Sequence, residues 1–214
     1  MIQRRAIRDE QKQQRREAIL ATAWDMFQTM PYSAIVMNDV AKQMNLAKGT
    51  LYLYFKTKEE LFLALLSQQF SAWFDDLDQR LAAIPNSTRQ AVVSAIGDSF
   101  AVRHGMTRLM AILHTVLEHN IEYATMLEFK RMLYTHILHT GSLLEQALPF
   151  VQSGATVLMQ AYALVIGFEH ITNPAPVARE VLAHESMPMF NVDFASGFSN
   201  TLDALLAGIE GQRK

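Results

Sequence analysis

Val36-Met-Asn-Asp-Val-Ala-Lys-Gln-Met-Asn-Leu-Ala-Lys-Gly-Thr-Leu-Tyr-Leu-Tyr-Phe-Lys-Thr-Lys-Glu-Glu-Leu61 is the stretch on which the reading of this chain turns. Its apolar spacing predicts two helices of about two turns each, over 37–44 and 48–55, joined by Asn45-Leu46-Ala47. Asparagine is the non-glycine residue best suited to the left-handed conformation of a tight turn. Leu51 and Phe55 lie four residues apart and are expected to face a small core shared with Ile19, Phe27, Val40 and Ala41. The opposite side carries Gly49, Tyr52 and Leu53, again at helical spacing.

Two short helices joined by such a turn make a helix-turn-helix, whose second helix enters the DNA major groove. An outward Gly-Tyr-Leu face suits that task better than it suits solvent. Gly49 permits close backbone approach, Tyr52 hydrogen-bonds or stacks, and Leu53 meets a thymine methyl. Lys48, Thr50, Tyr54 and Lys58 fall where phosphate strands would pass, with Tyr54 open between core aromatic and contact residue. Lys58 is expected to open a fourth helix whose N-terminal amides favour an anion.

Outward from this stretch the chain reads as helix. Ile19, Ala23 and Phe27 recur every four residues, with Leu20 and Trp24 beside them, and Pro31-Tyr32 ends that first helix near Met30. The long fourth helix reaches about Ala82, and further helices are expected over 106–119, 121–148, 151–172, 176–184 and 192–209. The fold class is therefore all-α. An N-terminal three-helix helix-turn-helix DNA-binding domain over 1–57, with a basic N-terminal arm, precedes a larger C-terminal helical domain over 58–214.

Charge supports the division. Residues 1–60 hold 10 Lys/Arg against 7 Asp/Glu, whereas 61–214 hold 9 against 14. Arg4, Arg5, Arg8, Lys12, Arg15 and Arg16 face only Asp9 and Glu10 before Glu17, a pattern that points the N-terminus at a polyanion. Of the 214 residues, 50% are hydrophobic and 19% charged, which excludes a disordered chain. With no cysteine there is no disulfide framework or thiol nucleophile. No signal peptide and no run of about 18 apolar residues is found, so the expectation is a cytoplasmic protein without a membrane partner.

The stretch Lys48-Gly-Thr-Leu-Tyr-x-Tyr-Phe-x-x-Lys-Glu, preceded by Arg16-x-x-Ile-Leu-x-x-Ala-x-x-x-Phe27, resembles the DNA-binding domain of the TetR family of bacterial regulators over about residues 12–65. The resemblance implies a homodimer whose two heads contact successive major grooves of a partly palindromic operator in double-stranded DNA. It also implies a small-molecule effector pocket in the larger domain. By position it places Lys48, Thr50, Tyr52, Tyr54 and Lys58 on DNA, and Arg4, Arg5 and Arg8 are expected to add phosphate or minor-groove contacts. Two positions depart from the family pattern: Val36 and Ala47 stand where Ser or Thr usually caps a helix and touches phosphate.

In the larger domain, flexible methionines suit an adaptable apolar pocket. The expected lining is Met106, Met110, Leu113, His114, Leu117, Phe129, Leu133 and Tyr162. The helices over 151–172 and 192–209 are the dimer candidates, through Val157, Ala161, Leu164, Phe168, Phe194, Phe198, Leu202 and Leu205. Among the histidines only His136 and His139 share a helical face, and no zinc motif occurs, so no metal site is expected. No Gly-rich phosphate loop or nucleophile elbow is present, so neither catalytic residues nor a cofactor are expected. The reading is a ligand-released transcriptional repressor. The alternative is a DNA-binding adaptor whose larger domain only dimerises or holds a protein partner.

Overall fold

The computed structural model describes residues 2–184 and 187–212, with side chains from Asp9 onward. Among these residues the regular structure is helical throughout: α1 Ile2–Thr29, α2 Met37–Gln43, α3 Lys48–Tyr52, α4 Lys58–Ala82, α5 Arg89–Ala101, α6 His104–Ile112, α7 Tyr123–Ala147, α8 Gly154–Thr172, α9 Pro176–His184 and α10 Phe194–Gly211. Short 3-10 turns occupy Tyr32–Ala34 and Pro188–Phe190, and α6 runs on into a π-helical turn, Leu113–Leu117.

Three elements differ from the expectation. The basic N-terminal residues form the front of α1 rather than a separate arm, because nothing from Ile2 onward interrupts the helix. The side chains of Arg4, Arg5 and Arg8 lie outside the described residues. The recognition helix stops at Tyr52 instead of Phe55. The Phe55 amide still bonds the Leu51 carbonyl at 3.1 Å and its ring is buried at 3% exposure, but Thr57 already caps α4 by accepting from the Glu60 amide at 3.0 Å. Glu60 in turn accepts from the Lys56 amide at 2.7 Å, a reciprocal cap that fixes where the new helix begins. Finally, the helix expected over 106–119 gives way to the π turn, marked by the i to i+5 bond from the Glu118 amide to the Leu113 carbonyl (2.9 Å).

The chain divides into two compact units whose limits differ from residues 57 and 58. One comprises the chain up to Gln68 together with Leu113–Leu127; the other comprises Gln69–Ile112 and the chain from Glu128. The first unit packs Ile19, Leu20, Ala23 and Phe27 of α1 against Val40, Ala41, Leu51, Phe55 and Phe62, all at 3% exposure or less. The Phe62 ring meets Phe27 edge-on at 5.6 Å and Tyr32 at 4.9 Å. Burying each such ring contributes about 2–3 kcal/mol.

The second unit is built round aromatic side chains of α4, α5 and α10. Trp73 stacks on Phe100 at 4.8 Å, Phe100 meets Phe198 edge-on at 5.5 Å, and the Trp73 indole N–H donates to the Ser99 hydroxyl at 2.8 Å. Arg89 of α5 holds both Asp203 (2.8 Å) and Glu210 (2.7 Å) of α10. A buried polar link joins α6 to α8, where the Glu169 carboxylate accepts from the Thr107 hydroxyl at 2.7 Å and the Asn173 amide at 2.8 Å. Both partners are neutral donors, which satisfy the buried oxygens without a counter-charge. Gly141 of α7 and Gly154, the first residue of α8, meet backbone to backbone; a Cβ on Gly154 would stand 2.0 Å from the Gly141 carbonyl oxygen.

Candidate nucleic-acid interface

The turn between α2 and α3 takes the form its sequence predicts. Asn45 has φ 54, its amide bonds the Lys42 carbonyl (3.0 Å), and the Leu46 amide bonds the Ala41 carbonyl (2.9 Å). These paired bonds close α2 in a Schellman motif and aim α3 away from it. The N-terminal ends lack side-chain caps: Val36 before α2 and Ala47 before α3 are extended and have no side-chain oxygen to accept from the helix amides. Val36 is nevertheless 48% exposed. Val36→Thr should therefore raise the melting temperature by about 1–4 °C, the effect of a cap of about 0.5–1 kcal/mol on a chain of this length. A thermal melt of the two proteins checks this, and an unchanged midpoint would mean that the α2 amides are already satisfied.

The recognition helix presents the expected face. Leu51 is fully buried, while Tyr52 is 40% and Leu53 78% exposed, an apolar pair held out to solvent. Gly49 is exposed, with nothing within 4 Å of where a Cβ would stand, so the backbone there is open to a close approach. Lys48 is exposed and its ammonium lies over the Tyr52 ring at 5.8 Å, which places charge and ring side by side. Thr50 and Tyr54 are half-buried.

Lys58 behaves differently. Its ammonium turns inward, donating to the Tyr32 carbonyl and lying over the Tyr32 ring at 3.8 Å. Burial pulls its pKa below the usual lysine range, opposed only by Glu59. The Tyr32 phenol, which donates to Glu59 at 3.1 Å, is pushed well above its ordinary range by burial and then by that carboxylate. Lys58 thus ties the start of α4 to the turn after α1. Spacing placed it on the helix start, but spacing cannot show that a tyrosine ring from residue 32 would cover it.

The residues after the π turn also belong to this unit. Thr57 donates to the Asn120 carbonyl (3.4 Å), and the Lys56 ammonium pairs with the Glu122 carboxylate. His114 and Glu118 pair at 3.0 Å on the turn itself. Asn120 adopts φ 55, as asparagines in tight turns do.

Residues 19–65 match the model of the tetR family of bacterial regulatory proteins, and residues 67–213 match that of the tetracyclin repressor-like C-terminal domain. The chain belongs to the TetR family. It is 38% identical over 58 residues to the regulator QacR of Staphylococcus aureus, covering 27% of this chain and 31% of that protein. It is 30% identical over 78 residues to EthR of Mycolicibacterium smegmatis, covering 36% of each. The chain thus matches about a third of the length of these relatives. Among solved structures, a transcriptional regulator from Rhodococcus superposes with a TM-score of 0.55 at 15% identity, over 91% of this chain and 97% of that one. A protein assigned to the TetR family from Mesorhizobium loti gives 0.55 at 14%, over 91% and 96%. This TetR-family chain is accordingly grouped with bacterial regulatory proteins.

The other predicted site residues fall as follows. Met106, Met110, Leu113, Leu117 and Phe129 are buried, Leu133 and Tyr162 half-buried, and His114 exposed. Of the dimer candidates, Val157, Ala161, Phe198 and Leu202 are buried by their own chain, whereas Leu164, Phe168, Phe194 and Leu205 are half-buried. The exposed apolar line of α8 is instead Met159, Ala163, Gly167 and Ile171. On α10 it includes Ala204 and Gly208. Nothing lies within 4 Å of the Cβ positions of Gly167 or Gly208. His136 stacks on Phe74 at 4.9 Å, and among the described residues no three His, Asp or Glu side chains converge as metal ligands would.

Proposed function

We propose that this regulator is a homodimeric repressor that binds a two-fold symmetric operator through α3 and is released by a small apolar or amphipathic effector, working in the cytoplasm. The observation that carries the DNA half of this reading is the exposed Lys48, Gly49, Tyr52 and Leu53 face beside a fully buried Leu51. Selecting genomic fragments with the purified protein and sequencing them tests it. A shared palindromic site is the expected result, and no enrichment at moderate salt would count against it.

The dimer half is supported by α8, whose length and composition are those of a membrane-crossing helix although only 33% of it is buried within the chain. A second copy is the partner that suits it. Small residues Ala163, Gly167, Ala204 and Gly208 allow close helix approach, with half-buried Leu164, Phe168, Phe194 and Leu205 at the margins. Gly167→Arg has room in a lone protomer and should raise the dimer dissociation constant at least about 100-fold, roughly the 3 kcal/mol of an unpaired interface charge. Analytical ultracentrifugation reads it; an unchanged dimer would move the interface elsewhere.

For release, the effector would be taken up within the second unit, by Met106, Met110, Phe129, Leu133 and Tyr162. A coupling of about 1–3 kcal/mol changes affinity about 5–150-fold. The second reading, an adaptor with no effector, is favoured by the close burial of Met106, Met110 and Phe129. Calorimetry with a panel of apolar compounds separates the two: binding by none of them selects the adaptor.

A further inference from the structure

A cavity of the second unit shares none of the effector residues named above. It encloses about 490 Å³ where the chain leaves α8 and returns to α10, between the end of α8, α9 and the 3-10 turn Pro188–Phe190, and its described lining falls wholly within 171–192. We propose that it is a separate binding site for an organic monoanion, a carboxylate on an apolar alkyl or aryl body, with Arg179 taking the charge.

Three observations carry it. First, α9 encloses space instead of packing. Its nine residues include no buried side chain, although Arg179, Leu182 and Ala183, at i, i+3 and i+4, share a face that lines the cavity. A helix this short draws its stability from packing, and here the packing face is left open. Protein interiors leave few voids larger than a water molecule, and this one falls within the range of about 300–1,000 Å³ of small-molecule sites. Second, the walls are apolar and only partly covered. Ile171 and Phe190 each remain 51% exposed and Met187 42%, while Leu182 and Val192 are half-buried. The Met187 thioether is flexible enough to fit bodies of more than one shape.

Third, the charge is one-sided. Arg179 is the one Lys or Arg among the described lining residues, and no carboxylate is among them. Its Nη2 donates to the Pro174 carbonyl at 3.3 Å, which steadies the side chain and leaves the remaining donors of the guanidinium for a ligand. Among the described residues Arg179 forms no ion pair. The Asn191 carboxamide adds a neutral donor. A guanidinium fork matches a carboxylate with two parallel bonds, whereas an alcohol fills it poorly and an ammonium opposes it.

The test titrates the full-length protein calorimetrically with octanoate and phenylbutyrate, and with octanol and octylammonium as the neutral and cationic counterparts. Arg179→Met keeps an unbranched, helix-favouring side chain and removes the charge. Both carboxylates should bind wild type, and Arg179→Met should bind each at least about tenfold more weakly, the loss of a charge-assisted pair. Octanol and octylammonium should bind more weakly than octanoate and should not bind more weakly still to the variant. Position is read separately from methionine-methyl NMR spectra. The Met187 signal, identified by its absence in Met187→Leu, should move on adding octanoate, while those of Met106 and Met110 stay in place. Equal carboxylate affinities in the two proteins, or shifts at Met106 and Met110 in place of Met187, would put the anion among the effector residues and overturn the separate site. Binding of neither carboxylate would overturn it as well, and a weaker dimer for Arg179→Met in sedimentation would then assign the groove to a second copy.

Discussion

Gly154→Ala is expected to lower the stability of the chain by about 2–3 kcal/mol and its melting temperature by roughly 4–12 °C. The new Cβ would stand 2.0 Å from the Gly141 carbonyl oxygen and 2.6 Å from its carbonyl carbon, both backbone atoms that cannot rotate away. Relief requires α8 to part from the end of α7, and that movement disturbs Gly154's own amide, which donates to the Glu145 carboxylate at 2.8 Å. Gly211→Ala is the matching control, since open space surrounds that position. Denaturant unfolding of both variants at one protein concentration reads the difference. Equal stabilities would mean that the contact between Gly141 and Gly154 is not part of the folded unit.

Tyr52→Ala and Lys48→Ala should each weaken operator binding about 10–100-fold while leaving the melting temperature and the dimer intact. Tyr52 is 40% exposed and Lys48 is exposed, so neither truncation opens a cavity. Their effects should differ in kind. Loss of the lysine flattens the salt slope by about one unit if it meets phosphate, whereas loss of the ring lowers affinity at every salt concentration. Because the ammonium lies over the ring at 5.8 Å, the two losses should be less than additive in the double variant. Lys58→Ala provides the contrast. Its ammonium is committed to Tyr32, so its removal should cost stability before it costs affinity. Wild-type binding by both recognition-helix variants would show that α3 does not face DNA.

The head was the most legible part of the molecule. Ile19, Phe27, Val40, Ala41, Leu51 and Phe55 were picked by spacing, and all six are at 3% exposure or less. Asn45 was picked as the left-handed turn residue and has φ 54. These features depend on neighbours a few residues away, and helical periodicity reports such neighbours directly. The end of α3 was harder to place, because Phe55 obeys the same spacing whether the helix continues or breaks. Only the competing cap at Thr57 and Glu60 decides that it breaks.

Sequence alone determined the helical class, the helix-turn-helix, which face of α3 turns outward and the sign of charge at each end of the chain. These follow from short-range steric and periodic rules. Tertiary structure decided which apolar stripes the protomer consumes for itself. Val157 and Phe198 are core, while Ala163, Gly167 and Gly208 face out, although both sets lie on equally apolar helices. It also decided that Lys58 serves Tyr32 and that residues 113–127 join the head. A helix displays its apolar stripe in its own sequence, but the surface that covers the stripe lies elsewhere in the chain or on another copy, and no local period encodes which.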